Sequence, residues 1–255
     1  MSRISAVVIT FNEERNIERC LSSLQNVVDE IIVVDSFSSD RTEEICKSFN
    51  VKFYKRKWDD YSSAKNFGNK KATYDWILSL DADEALSDEL KKNILEIKNK
   101  SEIGNYKFNR MTNYCGQWIK HGAWYPDVKL RIFDRRKIKW TGLIHETLTG
   151  KDLKNAGLLN GICYHYSYYN SQQHILQAQH YTDIVARELF NKAAKPIAVK
   201  TFISPVVKFI RDYFMRLGIL DGATGFTIAW ISAKATYWKY KKLKLLYSAN
   251  AQTKT

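Results

Sequence analysis

The stretch "LDADEAL" sets Asp81, Asp83 and Glu84 within four residues of one another. Carboxylates this close repel, and the arrangement is unfavourable unless a cation or a set of hydrogen-bond donors holds them. Oxygen ligands of this kind suit a hard divalent ion, Mn2+ or Mg2+, which commonly bridges carboxylates to the phosphates of a substrate. The same acids also suit the first turn of a helix, where negative charge complements the helix dipole, so the triplet alone leaves both readings open. A second polar set lies in "DVKLRI": Asp127, Lys129 and Arg131 alternate with Val128, Leu130 and Ile132, which describes a strand with one polar face able to line a cleft.

The segments around the triplet indicate how it is positioned. "ISAVVIT" and "EIIVVDS" are β-branched runs of strand length, and between them Ile17, Leu21 and Leu24 recur at helical spacing. The alternation continues with "DRTEEICKSF" as helix, "VKFYKRK" as strand, "SSAKNFGNKKA" as helix and "WILSL" as strand. "SDELKKNILEIKNK" follows as a helix capped by Ser87. Such alternation predicts an α/β fold with a mostly parallel sheet flanked by helices. Open sheets of this type bind ligands beyond the carboxyl ends of their strands, where Thr10, Phe11, Asn12 and Glu13, then Asp35, then Asp81 and Asp83 all fall.

Composition narrows the class further. With 255 residues and 45% apolar side chains, a sizeable core is feasible and intrinsic disorder is excluded. Cys20, Cys46, Cys115 and Cys163 form no CxxC pair, which argues against a zinc ribbon or a dense disulfide framework and fits a reducing, cytoplasmic setting. The opening apolar run is short and is followed by acids, so it reads as a first strand and not as a secretory signal.

In content and order, "VVITFNEERNIERCLSSL", "EIIVVDSFSSDRTEEI", "AKNFGNKKA" and "WILSLDADE" resemble the family-2 glycosyltransferases across residues 4 to about 90. The resemblance implies a GT-A type nucleotide-diphospho-sugar transferase fold and inverting transfer of a sugar from a nucleotide sugar. It implies that Thr10, Phe11, Asn12, Glu13 and Asp35 hold the base and ribose and that Lys65 sits near the nucleotide. Asp81 and Asp83 would serve the metal and the diphosphate. It further implies an acidic base, for which "WTGLIHETL" supplies Glu146, although the family's Glu-Asp pair is His145-Glu146 here. His165 in "CYHYSYYN" matches the position at which such enzymes present a histidine to the metal. The longer pattern "YPDVKLRIF … KWTGLIHETL … YHYSYYN", followed by "LGILDGATGFTIAWISAKATYWKYKKLKL", is similar to bacterial lipopolysaccharide core glucosyltransferases.

The expected organisation is a GT-A domain over residues 1–190, divided into a nucleotide-sugar-binding half (1–103) and an acceptor half (104–190). A basic amphipathic helical tail follows over 191–255. Net charge is +13, and the tail carries twelve Lys and Arg against two acids, a local +10. Residues 200–217 segregate apolar and basic side chains on opposite sides of a helix, entered or bent at Pro205. The uncharged run "GATGFTIAWISA" is too short to span a bilayer and long enough to enter one leaflet. "TYWKYKKLKLLY" then suits the headgroup zone of an anionic membrane. These features predict a membrane-associating extension, peripheral binding to the cytoplasmic face of the inner membrane and no nucleic-acid partner. The leading expectation is a metal-dependent transferase from a UDP-hexose to a lipid-linked glycan in lipopolysaccharide or cell-envelope polysaccharide synthesis. The alternatives are a non-catalytic nucleotide-sugar-binding scaffold at the membrane, or an enzyme with a peptide or soluble saccharide acceptor whose tail dimerises.

Overall fold

A computed structural model describes residues 2–100, 103–142, 146–195 and 197–252, and the chain divides into two compact units. The first comprises residues 1–111 and 127–166, the second residues 112–126 and 167–255.

The first unit opens with β1 (Ile4–Thr10), α1 (Ile17–Leu24), β2 (Glu30–Asp35), α2 (Thr42–Lys47), β3 (Lys52–Lys55), α3 (Tyr61–Lys71) and β4 (Trp76–Asp81). β1 lies between β2 and β4 in parallel pairing and is buried along its whole length, as a β-branched strand covered on both faces should be. Its side chains alternate: Ile4, Ala6 and Val8 pack with Ile17, Leu21 and Leu24 of α1, while Val7 and Ile9 pack towards Ala64 of α3. β5 (Glu84–Leu86) and α4 (Asp88–Lys98) come next, with the Ser87 hydroxyl accepting from Leu90 N at 3.2 Å as the expected cap.

Beyond β4 the pairing turns antiparallel. β6 (Tyr106–Tyr114), β7 (Gln117–Trp118), β8 (Asp127–Asp134) and β11 (Gly157–Tyr168) complete a sheet of nine strands among the described residues, in the order β3-β2-β1-β4-β8-β6-β11-β5 with β7 on β6. The sheet is therefore mixed, its parallel pairing confined to β3-β2-β1-β4. β9 (Ile138–Thr141) and β10 (Thr147–Gly150) form a separate antiparallel pair.

The second unit contains α5 (Ser171–Asn191), α6 (Ala198–Ile210), a π-helical turn at Arg211–Met215 and α7 (Gly222–Gln252). The boundary expected at residue 190 falls at the end of α5, inside this unit. Asn170 and Gln173 form a capping box at the start of α5, and α7 packs along both α5 and α6. The run "GATGFTIAWISA" opens α7 and turns Ile228, Ala229, Ile231 and Ala233 inward while leaving Phe226 and Trp230 exposed, and Ile228 joins a cluster with Tyr114 and Ile119. Among the described residues no helix is long and apolar enough to cross a membrane.

Candidate active site

Strand register brings the first candidate residues to one edge of the first unit. Thr10 is paired with Asp35 and Ile9 with Asp81, so the loops after β1, β2 and β4 leave the sheet side by side. The β1–α1 loop is stitched to the β2–α2 loop: Asn12 N donates to Ser38 Oγ (2.8 Å), Ser39 N to Asn12 Oδ1 (2.8 Å) and Glu13 N to Thr42 Oγ1 (2.9 Å). Asn12 takes the left-handed conformation at φ 54°, and Phe11 beside it is 56% exposed. Thr10 Oγ1 is buried and takes no hydrogen bond among the described residues. Asp35 is fully buried and gives both carboxylate oxygens to Ser38, so its side chain shapes the second loop.

Lys65 is the centre of the arrangement. Its side chain is 1% exposed, and its Nζ lies 2.9 Å from Asp81 Oδ1 and 2.9 Å from Glu146 Oε1. The Trp140 ring, itself in the core, sits 4.6 Å from the ammonium. α3 approaches close enough to deliver this side chain because of Gly68: a Cβ there would lie 2.4 Å from Val7 Cγ1 of β1. Asp81 Oδ2 lies 3.2 Å from Arg131. Burial by itself would push the Asp81 carboxyl up, but Lys65 and Arg131 outweigh it and hold it well below the usual carboxylate range.

Glu84 is fully buried and braces the triplet. Its Oε2 accepts from Asp81 N at 3.0 Å, and its Oε1 receives Arg131 at 2.7 Å and Arg110 at 3.1 Å. Arg110 also pairs with Asp127 (2.8 Å), which takes Lys129 (2.9 Å) on its other oxygen. The polar face expected for β8 thus exists, and it meets the acids of the β4–β5 turn through Arg131. Arg110 was not legible as a site residue; the available signal was a charge inside a half-buried aromatic strand, shared with Lys107 of the same strand.

Asp83 faces a different partner. Antiparallel pairing of β5 with β11 sets His165 opposite Glu84, and Tyr166 N donates to Asp83 O at 2.8 Å. His165 Nε2 and Asp83 Oδ2 consequently lie 3.1 Å apart. Burial works against charge on the imidazole, but the Asp83 carboxylate outweighs it and raises the pKa. Nearby Glu13 is pushed up to about 7, by burial first and by Asp83 second.

Among the described residues no three His, Cys, Asp or Glu side chains are arranged to hold a metal. Two do converge, a carboxylate and an imidazole, and this fits Mg2+ or Mn2+, which typically takes one or two protein ligands and completes its shell with substrate phosphates and water. Asp81, expected at the same ion, directs its oxygens to Lys65 and Arg131. Glu146 is described, whereas His145 beside it lies outside the described residues.

A parallel half-sheet with loops converging at its carboxyl edge, continued by antiparallel strands that add Arg131 and His165, is the architecture of the GT-A type fold. The glycosyl transferase family 2 model matches residues 5–151, more than half of the chain, and the chain belongs to that family. An uncharacterized glycosyltransferase of Rickettsia typhi is 31% identical, with 96% of this chain and 88% of its own length covered. The lipopolysaccharide core biosynthesis glycosyltransferase LpsC of Rhizobium meliloti is 25% identical, with 93% of each chain covered. Among solved structures, S. aureus TarS 1–349 in complex with UDP-GlcNAc superposes with a TM-score of 0.48 at 15% identity, covering 98% of this chain and 92% of that one.

Proposed function

We propose that this glycosyltransferase transfers a sugar, with inversion, from a UDP-hexose to a lipid-linked glycan at the inner face of an anionic membrane, in lipopolysaccharide or cell-envelope polysaccharide assembly. The observation that carries the reading is the buried Lys65 ammonium, which ties Asp81 of the carboxylate triplet to Glu146, the one acid assigned as base. The relative named for lipopolysaccharide core biosynthesis supports the acceptor class.

In this reading, exposed Phe11 stacks on the nucleobase, and the loop ordered by Asn12, Ser38 and Asp35 receives the ribose. Asp83 and His165 hold the divalent ion, and Glu84, Arg110 and Arg131 keep the β4–β5 turn rigid so that Asp83 is presented in one place. Bound there, Mn2+ or Mg2+ supplies neutralisation of the charge that gathers on the departing diphosphate. Glu146 holds Lys65 through Oε1 and takes the acceptor hydroxyl proton on Oε2. The acceptor oxygen bonds to the anomeric carbon as that carbon's bond to the diphosphate oxygen breaks, and the electron pair leaves with the diphosphate.

Replacing the base, Glu146→Gln, should lower transfer by about a hundredfold or more while nucleotide-sugar binding persists. Transfer at the parent rate in that variant would remove Glu146 from the mechanism. Asp83→Ala should abolish the thermal stabilisation that a UDP-sugar confers with Mn2+ present; full stabilisation in that variant would refute the metal assignment.

A further inference from the structure

The second unit displays an apolar edge that its own packing leaves largely exposed. On α6, Val199, Phe202, Ile203, Val206, Val207 and Ile210 all lie on the exposed side, Phe202 at 67% and Val206 at 58%. At about 100° per residue they fill an arc of about 140°. The π-helical turn after α6 carries the apolar face on to Met215, which is 75% exposed, and the following loop adds Leu217, Ile219 and Leu220.

This edge is built. In the loop, Gly218 and Asp221 point inward and the large apolar residues between and beside them point out. A Cβ on Gly218 would lie 2.6 Å from Asp212 O, and one on Gly225 would lie 1.9 Å from Gly218 O, so the loop is clamped between the π turn and the start of α7. The Asp221 carboxylate accepts from His121 N at 2.9 Å and meets His121 Nδ1 at 3.0 Å, which anchors the loop from the other side. A rigid loop that shows its leucines to the exterior is a surface feature of the fold.

Charge selects the occupant. Lys200 and Arg211 flank the Val207 side of the arc, Lys208 lies on the opposite face and Arg216 follows the π turn, and the acid among them, Asp212, is 3% exposed and taken up by Lys208 (2.7 Å), Arg211 (2.9 Å) and Arg216 (3.9 Å). The edge therefore presents apolar side chains with cations along one side. A second copy of the chain, meeting the same patch across a two-fold axis, would place these cations against one another. A bilayer with anionic headgroups complements both components at once.

We infer that the chain seats on an anionic bilayer, to interfacial depth, through α6, the π turn and the Leu217–Leu220 loop, joined by exposed Phe226 and Trp230, whose rings pack against Phe209 of α6, and not through the basic end of α7. This deepens, and rests on, the reading that the acceptor is membrane-borne. The full chain is tested by co-sedimentation with phosphatidylcholine vesicles with and without phosphatidylglycerol. Met215→Asp with Leu220→Asp should weaken binding to phosphatidylglycerol vesicles at least about tenfold with an unchanged thermal melt, since both side chains are exposed. Lys200→Glu should weaken binding only where phosphatidylglycerol is present and chiefly at low salt. Leu245→Asp, 60% exposed on the far part of α7, should bind as the parent. Parent-like binding by the Met215/Leu220 variant, or an equal loss in Leu245→Asp, overturns the inference. So does conversion of an oligomer to a monomer by the Met215/Leu220 variant with vesicle binding intact, which assigns the edge to a second copy. The predicted pattern of losses supports it even where no lipid-linked glycan is glycosylated, an outcome that would instead fail the acceptor reading.

Discussion

Lys65→Met tests the centre of the site directly. Methionine preserves the length and most of the volume of the side chain and removes the ammonium that lies 2.9 Å from both Asp81 and Glu146. Removing one partner of a buried ion pair typically costs about 3–5 kcal/mol, because a charge is left without compensation. Here Asp81 keeps Arg131 at 3.2 Å and Glu146 retains 21% exposure, so the low end, about 3 kcal/mol, is expected. Urea unfolding of the parent, Lys65→Met, Asp81→Asn and the double variant closes a cycle whose coupling should be about 1–3 kcal/mol. The pH dependence has a definite sign. The folded Asp81 carboxyl is held below its unfolded value, so its contribution is present above about pH 4 and is lost as pH falls towards the folded value. The gap between parent and Lys65→Met should therefore be widest above that pH and narrow below it. Coupling below about 0.5 kcal/mol, or a gap that does not narrow in acid, would refute the claim that Lys65 binds the two carboxylates together.

Two further outcomes follow from packing and charge in the first unit. Gly68→Ala places a methyl group 2.4 Å from Val7 Cγ1 and 3.1 Å from Val34 Cγ2, both on stiff β-branched side chains. Unfolding by urea should show a loss of about 1–3 kcal/mol, with transfer reduced as α3 moves and takes Lys65 with it. Glu13, raised to about 7, retains in the folded chain a proton that the unfolded chain releases near its ordinary value, so stability falls as pH rises through that window. Glu13→Gln should gain thermal stability relative to the parent between pH 5 and pH 8; an unchanged difference across that range would contradict the burial argument.

Much of the site could be read from local pattern. Strand ends carrying Thr10, Asp35 and Asp81 followed from β-branched runs and their breakers, and the Ser87 cap followed from one hydroxyl before a helical period. The roles of single side chains were less legible. Glu84 adjoins the triplet in sequence yet is buried against Arg110 and Arg131, which lie 26 and 47 residues further along the chain. The apolar opening of α7 has the composition of an interfacial segment, but its alternate faces are not equivalent, and Ile228 and Ile231 turn into the core. Composition reports how much apolar surface a segment has, whereas only its packed partners determine which side of it remains exposed.

By itself the sequence determined the α/β alternation, the strand-end location of the acids, the family and the cationic character of the last quarter of the chain. These depend on periodicity and short motifs, which act over one or two turns or a single strand. The tertiary structure decided that Lys65 joins Asp81 to Glu146 across 81 residues and that His165 reaches Asp83 through antiparallel pairing of β5 and β11. It also decided that α6 keeps its apolar face outward, whereas the apolar start of α7 is divided, with Ile228 and Ile231 buried and Phe226 and Trp230 exposed. Pairings of this kind depend on sheet order and strand register, which arise from the burial of whole elements against each other and leave no periodic trace in the residues they bring together.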